Sequence, residues 1–325
     1  MSFRYQIVTV FGGSGFIGRH LIRRLARSGA IVRIATRNPN KAQFLKTAGA
    51  VGQIVPLAVD VRSDDSVARA VDGADVVINL IGALHNDGPW TVEAAHVQAA
   101  GRIARLAKAA GARRFVHVSA IGADAKSAAE YGRTKAAGEK AVLAAFPEAT
   151  ILRPSIVFGP EDQFFNRFGA MAQIAPALPL IGGGKTRFQP VYVGDVAEAV
   201  VAALHDPKAQ GRTYELGGPT VYTFKELLAL TLKEVHRKRL LLPLPWKAAE
   251  ILGGLCEKIP LITPPLTKDQ VEMLKTDNVV SASAPGLADL GITPTTVEVT
   301  VPTYLSRFIV GGRYAAARES GHGVA

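Results

Sequence analysis

The stretch Val8-Thr9-Val10-Phe11-Gly12-Gly13-Ser14-Gly15-Phe16-Ile17-Gly18-Arg19-His20-Leu21 decides the fold. The apolar run at 7–11 reads as a buried parallel strand, and a glycine turn follows it. Beyond the turn, Phe16, Ile17, Leu21, Ile22 and Leu25 recur at the spacing of one helical face. The glycines have physical tasks. Gly12 permits the sharp strand-to-helix turn, Gly15 lets backbone N–H groups reach a pyrophosphate, and Gly18 lets the helix pack close to the strand. Gly13 and Ser14 fill the loop, and the helix N-terminus turns its positive dipole end to the anion. The spacing is G-x-x-G-x-x-G rather than G-x-G-x-x-G. Its position directly after a strand is what makes it informative.

The same alternation continues outward. Short apolar runs at 31–35, 54–59, 75–80, 115–118 and 150–152 read as strands. Between them, 39–48 (opened by Asn38 and Pro39), 63–71 (opened by Ser63) and 91–110 read as helices. Strands and helices alternating in this way mean an α/β fold, a Rossmann-type doubly wound parallel sheet. After about residue 160 the rhythm breaks and the chain turns proline-rich. The expected organisation is a nucleotide-binding domain over 1–160, with 186–220 returning to it. A smaller, mostly helical C-terminal lobe takes 161–185 and 221–310, and 311–325 forms a tail.

Composition narrows the function classes. At 325 residues with 48% hydrophobic, the chain is long enough for a large core. A single cysteine, Cys256, excludes an intrachain disulfide and fits a reducing compartment. No stretch reaches the roughly 18 apolar residues of a membrane span. The first strand begins within a few residues of Met1, so no targeting leader is expected. The net charge of +11 suits an anionic membrane surface or an acidic protein partner, unless the basic residues are simply scattered over a solvated surface. Nucleic acid is not expected as a partner, since no recognition motif is visible and aromatics are only 7%.

Several residues carry candidate chemistry. The second strand ends in Ala35-Thr36-Arg37-Asn38, with a base where NAD-binding folds place an acid. NADP(H) is therefore expected over NAD(H), the alternative being that Arg37 is an exposed loop residue. Asp60, followed by Val61, either reaches an adenine amine or closes a turn. Leu80, Ile81 and Gly82 follow the fourth strand, where glycine again allows close backbone approach. His85, Asn86 and Asp87 lack further ligands at metal spacing, and His96 reads as packed or surface-lying. Ser119 ends the fifth strand. Tyr131 and Lys135 stand at i and i+4 of a helix, where the ammonium is expected to lower the phenol's pKa. Residues 240–275 are apolar and prolyl, flanked by Arg237, Lys238, Arg239, Lys247, Lys258 and Lys268. They either cap the smaller lobe or offer an apolar face to a partner or bilayer surface.

Taken together, the 12–18 loop, Asp60-Val61, Tyr131/Lys135, Arg153-Pro154 and Val193-Gly194-Asp195 resemble the extended short-chain dehydrogenase/reductase family. Within it, His117-Val118-Ser119, Phe146-Pro147-Glu148-Ala149, the stretch from Phe158-Gly159-Pro160 to Asn166, and Gln189-Pro190-Val191-Tyr192-Val193 resemble the NADPH-binding accessory subunits of respiratory complex I. The resemblance implies Gly12, Gly15, Phe16 and Ile17 at the pyrophosphate and Arg37 at the 2′-phosphate. It implies Asp60 and Val61 at adenine, and Leu80, Ile81 and Gly82 along the ribose. Tyr131, Lys135, Pro154 and Ser155 would surround the nicotinamide. Catalytic members often carry a further Ser or Thr two residues beyond the Ser119 position; here Ile121 stands there. A subunit that holds NADPH without turnover, docked to the peripheral arm on the cytoplasmic face of a bacterial inner membrane, is the implied reading. The alternative is a free NAD(P)-dependent reductase, epimerase or dehydratase using Tyr131, Lys135 and Ser119.

Overall fold

The computed structural model describes residues 6–86, 88, 90–257 and 266–312. Asp87, Lys258, most of the 259–266 prolyl segment and the 313–325 part of the tail lie outside the described residues. Two compact units emerge. The first is Met1–Ser155, Val193–Gly217 and Val280–Pro294; the second is Ile156–Tyr192, Gly218–Val279 and Thr295–Ala325.

The first unit is built on seven strands: β1 (Ile7–Phe11), β2 (Ile31–Thr36), β3 (Ile54–Ala58), β4 (Val76–Asn79), β5 (Arg114–Val118), β6 (Thr150–Pro154) and β7 (Thr213–Leu216). All pair in parallel, in the order β7-β6-β5-β4-β1-β2-β3. The order reverses between β1 and β4, which leaves a crevice at their carboxyl ends. Phe11 ends β1 opposite Ala35 of β2 on one side and Asn79 of β4 on the other. The helices are α1 (Phe16–Arg27), α2 (Asp64–Val71), α3 (Ala99–Ala109), α4 (Glu130–Ala145) and α5 (Val193–His205).

Burial explains why these elements form. Leu21, Ile22 and Leu25 of α1 are fully buried, each worth about 1.5–3 kcal/mol relative to exposure. Ile103, Ala104 and Ala107 of α3 join Val142 of α4, Val67 and Val71 of α2, and Phe115 of β5 in one core. Ser63 caps α2 by accepting Ser66 N–H, as its position implies.

Two helical expectations change in detail. Residues Pro39–Ala48 form 3₁₀ turns rather than an α-helix, with Asn38 Oδ1 accepting Asn40 N–H at 3.0 Å. The expected 91–110 helix passes through a π turn at Ala94–Gln98 before α3 begins. Domain boundaries shift as well. Residues 280–294 belong with the sheet, because Glu215 of β7 donates its N–H to Pro285 O at 2.9 Å and its carboxylate accepts Ser281 N–H at 2.8 Å. Residues 156–160 and 186–192 instead join the second unit, where Val157–Phe158 pairs with Val191–Tyr192.

The second unit packs Phe158, Phe165, Phe188 and Phe224 with Leu227 and Leu228 in its own core. Asp162 organises its loop, accepting N–H groups of Gly159, Phe164 and Asn166 and the Tyr304 hydroxyl at 2.5 Å. Strand Leu240–Leu244 pairs in parallel with Ala177–Ile181 and leads into a helix at Trp246–Cys256. Leu240, Leu242, Ile251, Leu252 and Leu255 are exposed along this stretch. Among the described residues, no helix is long and apolar enough to cross a membrane.

Candidate functional site: a dinucleotide cradle at the sheet's switch point

The glycine loop occupies the crevice between β1 and β4. Gly12 adopts φ +76°, a left-handed conformation that side chains disfavour, and a Cβ there would stand 3.2 Å from the Leu80 carbonyl. The loops after β1 and β4 therefore touch through bare backbone. Gly13 is buried against Ile22 and Ile34, and Ser14 Oγ lies 3.4 Å from Thr36 Oγ1. Gly15 is the N-cap of α1 and no side chain caps the helix, so its first-turn N–H groups face the crevice mouth unclaimed by a cap. A Cβ on Gly18 would collide with the Gly13 carbonyl. Gly18 thus brings α1 against its own loop rather than against the strand. Phe16 and Ile17 are half-buried at the start of the helix.

At the end of β2, Arg37 is exposed and stacks over Trp90, its guanidinium carbon 5.7 Å from the ring centroid. Arg19 lies likewise over Phe44 at 5.4 Å. Asp60 is held as a turn residue. Its carboxylate takes Arg62 Nε at 3.0 Å and Nη2 at 2.9 Å, along with Arg62's own N–H, and the guanidinium holds it down at about 2. An adenine amine would have to compete with that pairing. Val61 is buried, and its carbonyl accepts Arg102 Nη1 at 3.0 Å.

The loop after β4 is tied by two side chains. Asn79 Oδ1 accepts Ile81 N–H at 3.1 Å, and His96 Nε2 accepts Ala83 N–H at 3.1 Å. With Nε2 accepting, the His96 proton sits on Nδ1, facing Thr134 Oγ1 at 2.9 Å. Thr134 passes its own hydroxyl hydrogen to the Tyr131 carbonyl at 3.1 Å. The chain of bonds runs from the 80–83 loop to α4. His96, expected from sequence to be packed or surface-lying, is packed and serves as a structural strut here. The π turn around it and Gly138, whose Cβ would collide with the His96 carbonyl, make the room.

Tyr131 and Lys135 share one face of α4, with Lys135 Nζ 5.7 Å from the Tyr131 ring centroid. His96 meets the same ring edge-on at 5.2 Å. The expected depression of the phenol's pKa is not found. Loss of surrounding water pushes Tyr131 up to about 12, whereas burial pulls Lys135 down to about 8 against the charge of Glu139. The ammonium stands beside Gly82, 3.4 Å from where a Cβ would lie. Ser119, at the end of β5, is buried with its Oγ lacking a partner. His117 is buried two residues earlier. Asn79 Nδ2 donates to its Nδ1 at 3.1 Å, which leaves an Nε2–H that also lacks a partner. Burial first, then the charge on Lys135, keeps both His96 and His117 neutral, at about 3. Pro154 accepts Ile121 N–H at 3.0 Å, and Ser155 donates its N–H to Leu216 O at 2.9 Å.

A glycine cradle, an uncapped helix start and orphaned buried polar atoms at one sheet edge fit a dinucleotide. Among the described residues, no group of His, Cys, Asp and Glu could hold a metal ion. Such a site defines a dinucleotide-binding α/β protein of the dehydrogenase type. The chain belongs to the NAD dependent epimerase/dehydratase family, matched over residues 8–217, as an extended short-chain dehydrogenase/reductase. It is 38% identical over 316 residues to the mitochondrial NADH dehydrogenase [ubiquinone] 1 alpha subcomplex subunit 9 of Arabidopsis thaliana, covering 94% of this chain and 79% of that one. It is 40% identical over 295 residues to the Mus musculus protein of the same name, covering 90% and 78%. Among solved structures, DesIV from Streptomyces venezuelae, a dTDP-glucose 4,6-dehydratase with NAD and TYD bound, shares the fold. Its TM-score is 0.72 at 20% identity, over 97% of this chain and 98% of that one.

Proposed function

We propose that this chain is an accessory subunit of respiratory complex I that holds NADPH as a fixed brace rather than a substrate. The observation that carries the reading is extent: the likeness to complex I subunits runs through 90–94% of the chain and so through both units. In this reading the N–H groups of the 12–18 loop hold the pyrophosphate and Arg37 holds the 2′-phosphate. Val61 and the Asp60 turn lie at adenine, with Leu80, Ile81 and Gly82 along the ribose. Ser119, Tyr131, Lys135, Pro154 and Ser155 meet the nicotinamide end. NADPH when bound supplies a hydride donor, but this chain is poorly equipped to direct one to a substrate. Its phenol is held near 12 and Ile121 is buried where a second hydroxyl would donate. Losing one such donor costs an acyl-transfer enzyme about 3 kcal/mol of transition-state stabilisation.

A ligand that binds only the folded state stabilises it, by about 4 kcal/mol at a thousandfold excess over Kd. That is the brace. The exposed leucines of 240–255, beside Arg237, Lys238, Arg239 and Lys247, suit a peripheral-arm partner close to the anionic cytoplasmic face of a bacterial inner membrane. The intact Tyr131/Lys135 pair favours a second reading, a free NAD(P)-dependent reductase or epimerase. Blue-native electrophoresis of membranes separates the two. Comigration of the chain with NADH:quinone oxidoreductase activity supports the subunit reading, and a chain found only in the soluble fraction overturns it.

A further inference from the structure

Lys135 is 4% exposed, and an ammonium so far from water needs a counter-charge. One helical turn on, on the same face of α4, Glu139 is buried too. Its carboxylate does not serve Lys135 alone. Arg153 of β6 grips it with two bonds, Nε to Oε1 at 2.8 Å and Nη2 to Oε2 at 2.6 Å. Arg153 is drawn the other way as well, with Nη1 3.6 Å from Glu215 Oε1 of β7. Two acids and two bases thus form one row across α4, β6 and β7, with Arg153 half-buried and the other three buried. The other groups turned to Lys135 carry no charge: Tyr131 on its own helix, His96 on the π turn and His117 on β5.

We propose that Glu139 is the positioning residue that keeps Lys135 a buried cation toward the nucleotide, and that Arg153, by competing for Glu139, limits how strongly it does so. The proposal rests on the reading that Lys135 meets NADPH. An ammonium gives its ligand charge-assisted hydrogen bonds roughly twice as strong as neutral ones. NADPH affinity therefore falls as pH rises through the lysine's titration, near 8 in the free protein. Removing Glu139's charge moves that fall to lower pH. Removing Arg153 leaves Glu139 wholly to Lys135 and moves it to higher pH.

The test is NADPH affinity across the alkaline range, measured by fluorescence titration on the full chain with thermal unfolding as a check on folding. Glu139→Gln is expected to shift the alkaline limb down by about one pH unit, so that Kd at the wild-type midpoint rises about fivefold while affinity a unit or more below it stays within about twofold. Arg153→Met is expected to shift the limb upward. Opposite shifts from two partners in one ion pair do not arise from general damage, and either variant alone carries the test if the other fails to fold. Limbs that stay in place, or that move the same way in both variants, overturn the proposal. A wild-type protein that binds no NADPH removes the underlying reading itself, whereas a wild-type alkaline limb with unmoved variants removes only this inference.

Discussion

Gly18, Arg37 and the two buried histidines make separable predictions at the scale of single residues. Gly18→Ala drives a methyl group into the Gly13 carbonyl, and over-packing of this kind costs about 1–3 kcal/mol. A lower urea midpoint and NADPH affinity reduced at least tenfold are the expected results, read by chemical unfolding and titration calorimetry. Arg37→Asp tests nucleotide choice. The exposed guanidinium stacks over Trp90 just past the end of β2, so reversal of its charge should weaken NADPH binding far more than NADH binding. Equal losses for both would remove Arg37 from the 2′-phosphate. His96 and His117 titrate at about 3 when folded and near the ordinary 6.5 when unfolded. Between those values the unfolded chain binds more protons, so stability rises with pH and is lost as pH falls from 6.5 toward 3. Replacing His117 with Asn should flatten that slope in urea titrations run across the acid range. An unchanged slope would mean the imidazole is not the group being protonated.

At the scale of elements, the π turn and α4 act as one device. Gly138 lets the π turn's His96 carbonyl approach α4, and the His96–Thr134 bond fastens the two. Gly138→Ala is expected to cost about 1–3 kcal/mol and to release the 80–83 loop, seen as faster hydrogen exchange at Ala83. Unchanged protection there would separate the loop from the helix. How much of this was legible beforehand differs by element. The strands of the sheet stand out as apolar runs because each is buried on both faces, and 7–11 matches β1 residue for residue. Ser63 and Gly12 were readable because caps and tight turns depend on local chemistry. The π turn was not, since one extra residue in a helical turn is set by what His96 touches across the fold. The 39–48 segment has helix-compatible composition and a proper cap, yet it settles into 3₁₀ turns. The Glu139–Arg153–Glu215 row was also invisible, because three ordinary charges on α4, β6 and β7 become a network only when the sheet brings them together. Tyr131's pKa misled for a related reason: i, i+4 spacing gives a neighbour's charge but not the loss of water, which here outweighs it.

At the scale of the whole molecule, the chain pairs a family fold with sequence likeness to respiratory subunits. The fold is shared with DesIV, at 20% identity. The similarity in sequence lies instead with respiratory subunits, at 38–40%. If the proposed function holds, a bound NADPH fixes the first unit, and the basic, exposed-leucine stretch of the second is available to partners. The most direct measurement is to isolate membranes from cells carrying an affinity tag on this chain, capture the complex, run it with NADH and quinone, and then release and assay the bound nucleotide. The account predicts NADPH in amounts stoichiometric with the chain, co-captured with NADH:quinone oxidoreductase activity and still reduced after turnover. A chain captured without that activity, without NADPH, or with its nucleotide oxidised during turnover would contradict it.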